Sequence, residues 1–333
     1  MRMILSYVIA PFVAVMIASL LPSWSLYLLT IALAKSLVVL GLVLLFRCGL
    51  VSFGHGLFYC TGAYTPGILG RWLGISDVFL SLAAGLLVTI LLGAMLGVFL
   101  ARYRGVFFAM FNLALSMILY GALLKFQLLG GSDGLRILRP SGLDIVAAGG
   151  SETYRIFILA AVIVAAGCVF ADRYFRSILG LRSQGVADNE IRIDYLGGSA
   201  WSTVLINYVI SAALAGTGGV LSALATGYVT PELTYWTVSG EFVFITVLAG
   251  ATNVWAAPLA TLLFESVRLA AGQLVPHFWQ MILGTFLLLT IVFLPGGLSG
   301  CFRPSRRPAV AKQAASDFNH PIGTADVHDT GDK

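Results

Sequence analysis

Apolar residues run through this chain in blocks of membrane-spanning length separated by short polar joints. A helix needs roughly 20 apolar residues to cross about 30 Å of hydrocarbon. Such blocks recur at residues 3–21, 24–46, 51–71, 77–100, 106–127, 154–171, 201–228, 238–255, 256–273 and 278–296. The pattern predicts an all-α polytopic integral membrane protein of about ten transmembrane helices (8–10), broken or short spans included. The pair at 238–273 is the weakest part of it, because residues 249–258 are few and mostly small. They suit either two short spans or one crossing with a re-entrant piece. The block at 3–21 follows Arg2, lacks a convincing A-x-A cleavage site and is succeeded at once by another span. It is expected to stay as a helix and not to be removed as a signal peptide.

One stretch interrupts this pattern. Residues 172–197 hold eight charged side chains, Asp172, Arg173, Arg176, Arg182, Asp188, Glu190, Arg192 and Asp194, in a chain whose charged fraction is 11%. Connectors can be far shorter, so this island reads as a surface that meets something outside the bilayer. From Val186 to Leu196 the residues suit one helix of about three turns. Asp188 and Arg192 form an acid-first i,i+4 pair, Ala187, Ile191 and Tyr195 form a stripe, and Gly197-Gly198 supplies a stop. The stripe fits a groove on a partner protein or the lipid surface, and the residues themselves leave both open.

Three further features are candidates for chemistry at depth. Residues 49–71 contain five glycines by Gly67, with Pro66 and His55. Such a segment is either a broken helix lining a cavity or a helix packed closely through small residues. Asn112, Ser116 and Tyr120 recur at i,i+4,i+8. They suit interhelical hydrogen bonds or, functionally, the lining of a substrate route. Lys35 lies deep in the second span and needs a partner or must snorkel. Lys125, Glu241, Glu265 and Arg268 are read as lying nearer span ends, where charge costs less. The Gly, Ser and Asp of residues 129–135 read as a tight turn.

Composition supports the membrane assignment: 59% apolar residues and 37 glycines, with a mean hydropathy of +0.93. The net charge of +5 does not point to nucleic acid, because loops on the inner side of a membrane accumulate Lys and Arg. With the N-terminus inside and ten alternating spans, 13 Lys and Arg fall inside, 6 fall outside or near outer span ends, and Lys35 is the twentieth. Both termini are therefore expected to be cytoplasmic. Cys48, Cys60, Cys168 and Cys301 have no metal-ligand spacing and read as packing residues, and the four histidines show no ligand pattern. Residues 1–300 form the expected membrane domain, with a polar tail at 301–333 that has no apolar periodicity and reads as disordered. The chain has no GxxxxGK[ST], no GxGxxG after a strand and no nucleophile elbow. Active transport would need its energy from elsewhere.

Several motifs occur together in a telling order. Val51-Ser52-Phe53-Gly54-His55-Gly56 with Gly62-Ala63-Tyr64-Thr65 is followed by Arg104-Gly105-Val106-Phe107-Phe108-Ala109 and Gly130-Gly131-Ser132-Asp133-Gly134-Leu135. Then come Ser211-Ala212-Ala213-Leu214-Ala215-Gly216, Val247-Leu248-Ala249-Gly250 and Leu294-Pro295-Gly296-Gly297-Leu298. In these pieces the chain resembles the permease subunits of branched-chain amino acid ABC transporters, of the LivM type. It departs from the common pattern at Phe46-Arg47, Met117 and Ile193.

The resemblance implies a cytoplasmic coupling helix that docks on an ATPase through Arg176, Ser177, Gly180, Arg182, Ala187, Asp188, Asn189, Glu190, Ile191, Leu196 and Gly197. The substrate-pathway candidates are Ser52, Phe53, Gly54, His55, Asn112, Ser116 and Tyr120. The implied partners are a second permease subunit of the LivH type, two cytoplasmic ATPase subunits and a periplasmic binding protein, around a bilayer that is the bacterial inner membrane. ATP and Mg would be bound by the ATPases, with no cofactor, metal or catalytic residue in this chain. The implied substrates are leucine, isoleucine, valine or a related small molecule, with urea, short amides or aromatic acids as the alternative. An ion-coupled secondary transporter is the competing class. It would need buried ionisable groups, and Lys35 is the one clear mid-span charge in the sequence.

Overall fold

The computed structural model describes residues 22–143, 151–274, 278–293 and 297–301. The expected span at 3–21 and the tail beyond 301 lie outside the described residues. Among the described residues each apolar block from 24 onward holds a helix: α1 (Ser23–Phe46), α2 (His55–Leu73), α3 (Val78–Leu100), α4 (Gly105–Lys125), α5 (Glu152–Arg176), α8 (Ala200–Thr226), α9 (Trp236–Ala249), α10 (Ala256–Leu274) and α11 (Trp279–Phe293). Two short helices, α6 (Ile178–Asp188) and α7 (Glu190–Tyr195), carry the polar island, and α12 (Gly297–Cys301) follows α11. Five of the described helices, α1, α3, α4, α5 and α8, are long and apolar enough to cross a membrane. The stretch 238–273 is two helices, and the 14 residues of α9 rise only about 21 Å, short of the hydrocarbon thickness.

The bundle is organised around α8, which lies along α1, α2 and α3. Lipid offers no hydrophobic force between helices, so close contact depends on small residues that let backbones approach. A Cβ at Gly62 of α2 would stand 2.1 Å from the Gly216 carbonyl of α8, and one at Gly219 would stand 1.9 Å from the Tyr59 carbonyl. At Gly218 the same atom would meet the Ala34 carbonyl of α1 at 2.4 Å. The inner half of α1 is fully enclosed, whereas α3 and α4 turn large side chains such as Leu91, Met95, Phe107 and Ile118 outward.

Close packing through small residues describes most of residues 49–71. Residues 50–54 are irregular backbone, with Leu50, Ser52 and Gly54 buried, as is tolerated at depth when protein surrounds the chain. From His55 onward α2 runs unbroken through Pro66. At the far end of the bundle, the expected turn at 129–135 leads into a two-stranded ribbon in which β1 (Leu135–Arg136) pairs antiparallel with β2 (Tyr228–Val229).

Candidate functional site

The polar island is anchored at one end of the bundle. α5 stops at Arg176, and the Ser177 side chain accepts from the Gly180 amide to start α6. The single helix expected over 186–196 is not what forms. The backbone leaves helical geometry at Asn189 (φ −163°, ψ 106°), whose side chain accepts from the Arg192 amide and starts α7. Asparagine is among the preferred N-cap residues, and this local hydrogen bond outcompetes helix continuation. Asp188 and Arg192 consequently sit on separate helices and form no ion pair. Glu190 instead takes an ion pair from Arg104, the residue that leads into α4.

Other bonds fix α6 to the bundle. Asn207 of α8 donates to Ser183 Oγ at 2.9 Å and accepts from the Tyr174 hydroxyl at 3.2 Å. Gly180 is packed on the end of α5, where a Cβ would stand 2.2 Å from the Tyr174 carbonyl. Arg176 pairs with Asp172 at 3.1 Å on the exposed surface, and Arg182 is half-buried. Ala187, Asp188, Asn189 and Gly197 are exposed. Beside them Tyr195, Leu196 and Ile191 are 88%, 76% and 67% exposed, and Ile178 and Leu181 are exposed too. The outcome is an apolar patch on a polar rim that the described residues leave uncovered. Cys48 lies behind it, and burial, opposed by a hydrogen bond with Ser183, pushes its thiol up to about 11. It is a packing thiol.

The pathway candidates gather elsewhere. His55 is fully buried, with Nδ1 3.0 Å from Ser52 Oγ and Nε2 2.6 Å from Ser211 Oγ of α8. Gly54 lies against the Asn112 carbonyl, where a Cβ would stand at 2.4 Å. Asn112 donates to the Phe108 carbonyl and accepts from the Tyr208 hydroxyl at 2.6 Å. Ser116 donates to the Thr234 carbonyl at 2.6 Å, and Tyr120 lies farther out, its ring 5.1 Å from that of Tyr235. Phe53 is half-buried beside this cluster. Asn112 and Ser116 of the α4 stripe therefore make hydrogen bonds to other elements of the bundle, while Tyr120 meets Tyr235 through its ring. A Ser211→Ala variant is expected to lose about 1–3 kcal/mol, because one buried His55 nitrogen would be left without a partner. Thermal unfolding in detergent measures it, and an unchanged midpoint would remove this role for Ser211.

A second polar centre lies in the bundle, and it joins mid-helix Lys35 to the charges of α9 and α10. Lys35 of α1 donates to Glu265 of α10 at 2.5 Å and to Glu241 of α9 at 3.5 Å. Arg268 donates to Glu241 at 2.9 Å and approaches Glu265 at 3.6 Å. Two cations and two anions alternate around a square, neutral in sum. Lys35 thus has partners and does not snorkel. Periodicity offered one signal, since Glu265 and Arg268 stand at i,i+3. Their partner Lys35 is 230 residues from Glu265 in the chain. Beside the square a cavity of about 680 Å³ opens between α1 and the end of α10. A second, of about 350 Å³, lies under the ribbon and is lined by Arg136, Arg139 and Glu152, and Tyr27 borders both. Among the described residues no group of three or more His, Cys, Asp or Glu is placed to hold a metal ion.

A many-helix bundle with long apolar helices, enclosed polar centres and an uncovered apolar patch at a polar end defines a multi-pass membrane protein. The chain belongs to the family described as the branched-chain amino acid transport system permease component, whose model matches residues 24–292. It is similar to the high-affinity branched-chain amino acid transport system permease protein LivM of Salmonella typhimurium and to that of Escherichia coli. Each is 29% identical over 295 residues, covering 80% of this chain and 68% of the relative. No solved structure matches. The chain is thus a permease component of an ABC importer that works with other subunits and is not itself an enzyme.

Proposed function

We propose that this chain forms half of the membrane pathway of an ATP-driven importer for leucine, isoleucine, valine or related amino acids, working by alternating access. The other half is a second permease subunit of the LivH type. Two ATPase subunits, holding ATP and Mg, dock on α6 and α7, and a periplasmic protein delivers substrate. The uncovered apolar patch of Ile178, Leu181, Ile191, Tyr195 and Leu196 carries this reading. A short amphipathic pair of helices suits insertion into a groove on a partner, and the Arg104–Glu190 pair ties that insertion to the start of α4. In this reading about ten spans cross the bacterial inner membrane with both termini cytoplasmic, residues 1–300 form the permease domain and 301–333 the tail.

Replacing Arg182 and Glu190 with alanine is expected to reduce ATPase association and uptake several-fold. Unchanged association and uptake would remove the docking role of this segment. The charges of Lys35, Glu241, Glu265 and Arg268, of which Lys35 and Glu265 are buried, favour one competing class, an ion-coupled transporter. Their mutual pairing and neutral sum favour a fixed structural or binding role. Reconstitution in proteoliposomes separates the classes: uptake without any ATPase subunit would overturn the ABC mechanism. Uptake of urea or a short amide in place of leucine would move the substrate class.

A further inference from the structure

We propose that the cavity between α1 and α10 binds the zwitterionic head of a free amino acid, its carboxylate on Arg268 and its ammonium on Glu265, with the side chain among Leu28, Ile31 and Leu269. This rests on the import reading above. Charged groups this deep are expensive, and replacing a buried ion pair by apolar residues of similar size is often neutral or stabilising. A charge square therefore calls for a use beyond holding helices together. The ion-pair contacts run through Nη1 of Arg268 and Oε1 of Glu265, and the Arg268 guanidinium also lies 5.8 Å from the Trp279 ring centroid.

Arg268 and Glu265 are also the charged residues of the square that line the cavity, while Lys35 and Glu241 lie behind. Arg268 has a side chain 39% exposed, against 9% for Lys35. A guanidinium fork matches a carboxylate bidentately. The ammonium and carboxylate of an amino acid are held on one carbon, and Arg268 Nη1 and Glu265 Oε1 stand 3.6 Å apart, so the ligand's two charges meet two neighbouring opposite charges without breaking the square. The volume lies within the usual range for small-molecule sites, roughly 300–1,000 Å³. Apolar walls with a few convergent polar groups are the usual composition of such sites. Trp24 lines the cavity too, and Tyr27 stands between it and the polar cavity that Arg136 and Arg139 line. The same chemistry, an ammonium next to an anionic oxygen, is found in the headgroup of phosphatidylethanolamine.

The test uses the assembled importer in phosphatidylcholine nanodiscs, without ATP or binding protein, and measures equilibrium binding of labelled leucine. Gly272 lines the cavity, and a Cβ there meets nothing within 4 Å. Gly272→Phe therefore fills the space beside Arg268, one turn away on the same helix, and is expected to keep the unfolding midpoint. Both Gly272→Phe and Arg268→Lys, which keeps the charge and loses the fork, are expected to weaken leucine binding at least tenfold. Parent-like binding in both variants overturns the site. So does ATP-driven leucine uptake that Gly272→Phe leaves unchanged, a result that would keep the import reading intact. An importer that takes up urea but no leucine would instead remove the amino-acid reading itself. In discs containing phosphatidylethanolamine, lipid retained by the parent and lost from Gly272→Phe, with leucine binding unaffected, would assign the site to the headgroup and overturn the amino-acid proposal.

Discussion

Replacing Lys35 with methionine is expected to destabilise the bundle by about 3–5 kcal/mol, because removing one partner of a buried ion pair leaves an uncompensated charge. The geometry makes this a severe case. Glu265 receives Lys35 at 2.5 Å and Glu241 receives it at 3.5 Å, and with Lys35 gone two carboxylates face each other across a single Arg268. Methionine keeps the length and apolar stem of lysine, so the loss is one of charge and not of volume. Combining Lys35→Met with Glu265→Gln removes one charge of each sign and is expected to recover most of the loss. Thermal unfolding of the purified chain, together with its accumulation in the membrane, reads both effects. A Lys35→Met protein that melts with the parent would show that the square contributes nothing to folding.

A leucine at Gly219 is expected to disrupt the bundle by about 3 kcal/mol or more, at the upper end of overpacking costs. The mechanism is backbone collision. The first side-chain carbon would stand 1.9 Å from the Tyr59 carbonyl and 3.0 Å from the Ala63 amide. Neither atom belongs to a flexible side chain that could swing aside. Relief would need α2 and α8 to separate, which would also loosen the Gly62–Gly216 approach one turn away. Gly272→Ala is the control: its Cβ meets nothing, and alanine is favoured over glycine in a helix interior by roughly 1 kcal/mol. That variant should be neutral or slightly stabilising. Equal unfolding midpoints for the Gly219 and Gly272 variants would defeat the argument that small residues set the helix spacing.

Hydropathy is a local property, and the features that depend on it are legible in the amino-acid sequence alone. The blocks at 77–100 and 106–127 correspond to the helices Val78–Leu100 and Gly105–Lys125. The charge density of 172–197 likewise locates the uncovered patch. The internal shape of that segment departs from the single helix that the i,i+4 pattern of Ala187, Ile191 and Tyr195 suggests, because the capping preference of Asn189 prevails over it. That cue is also local, since Asn189 stands three residues ahead of the amide it binds. The polar residues of α4 lie at the hydrogen-bonding spacing that the sequence shows. Their partners, Tyr208 and the Thr234 carbonyl, are 96 and 118 residues away from them.

The sequence by itself determined that this is a helical membrane protein, where nearly all its described helices lie, and that one segment of it is densely charged. Each of these follows from runs and spacings within a few turns of chain, which water and lipid sort without reference to the rest of the molecule. Only the tertiary structure decided that Lys35, Glu241, Glu265 and Arg268 are one neutral square beside a cavity, and that His55 is bound to Ser211. Opposite charges are attracted across space and not along sequence, so which of them meet is set by how α1, α9 and α10 pack, and that packing is set in turn by the glycines that let the helices of the bundle touch.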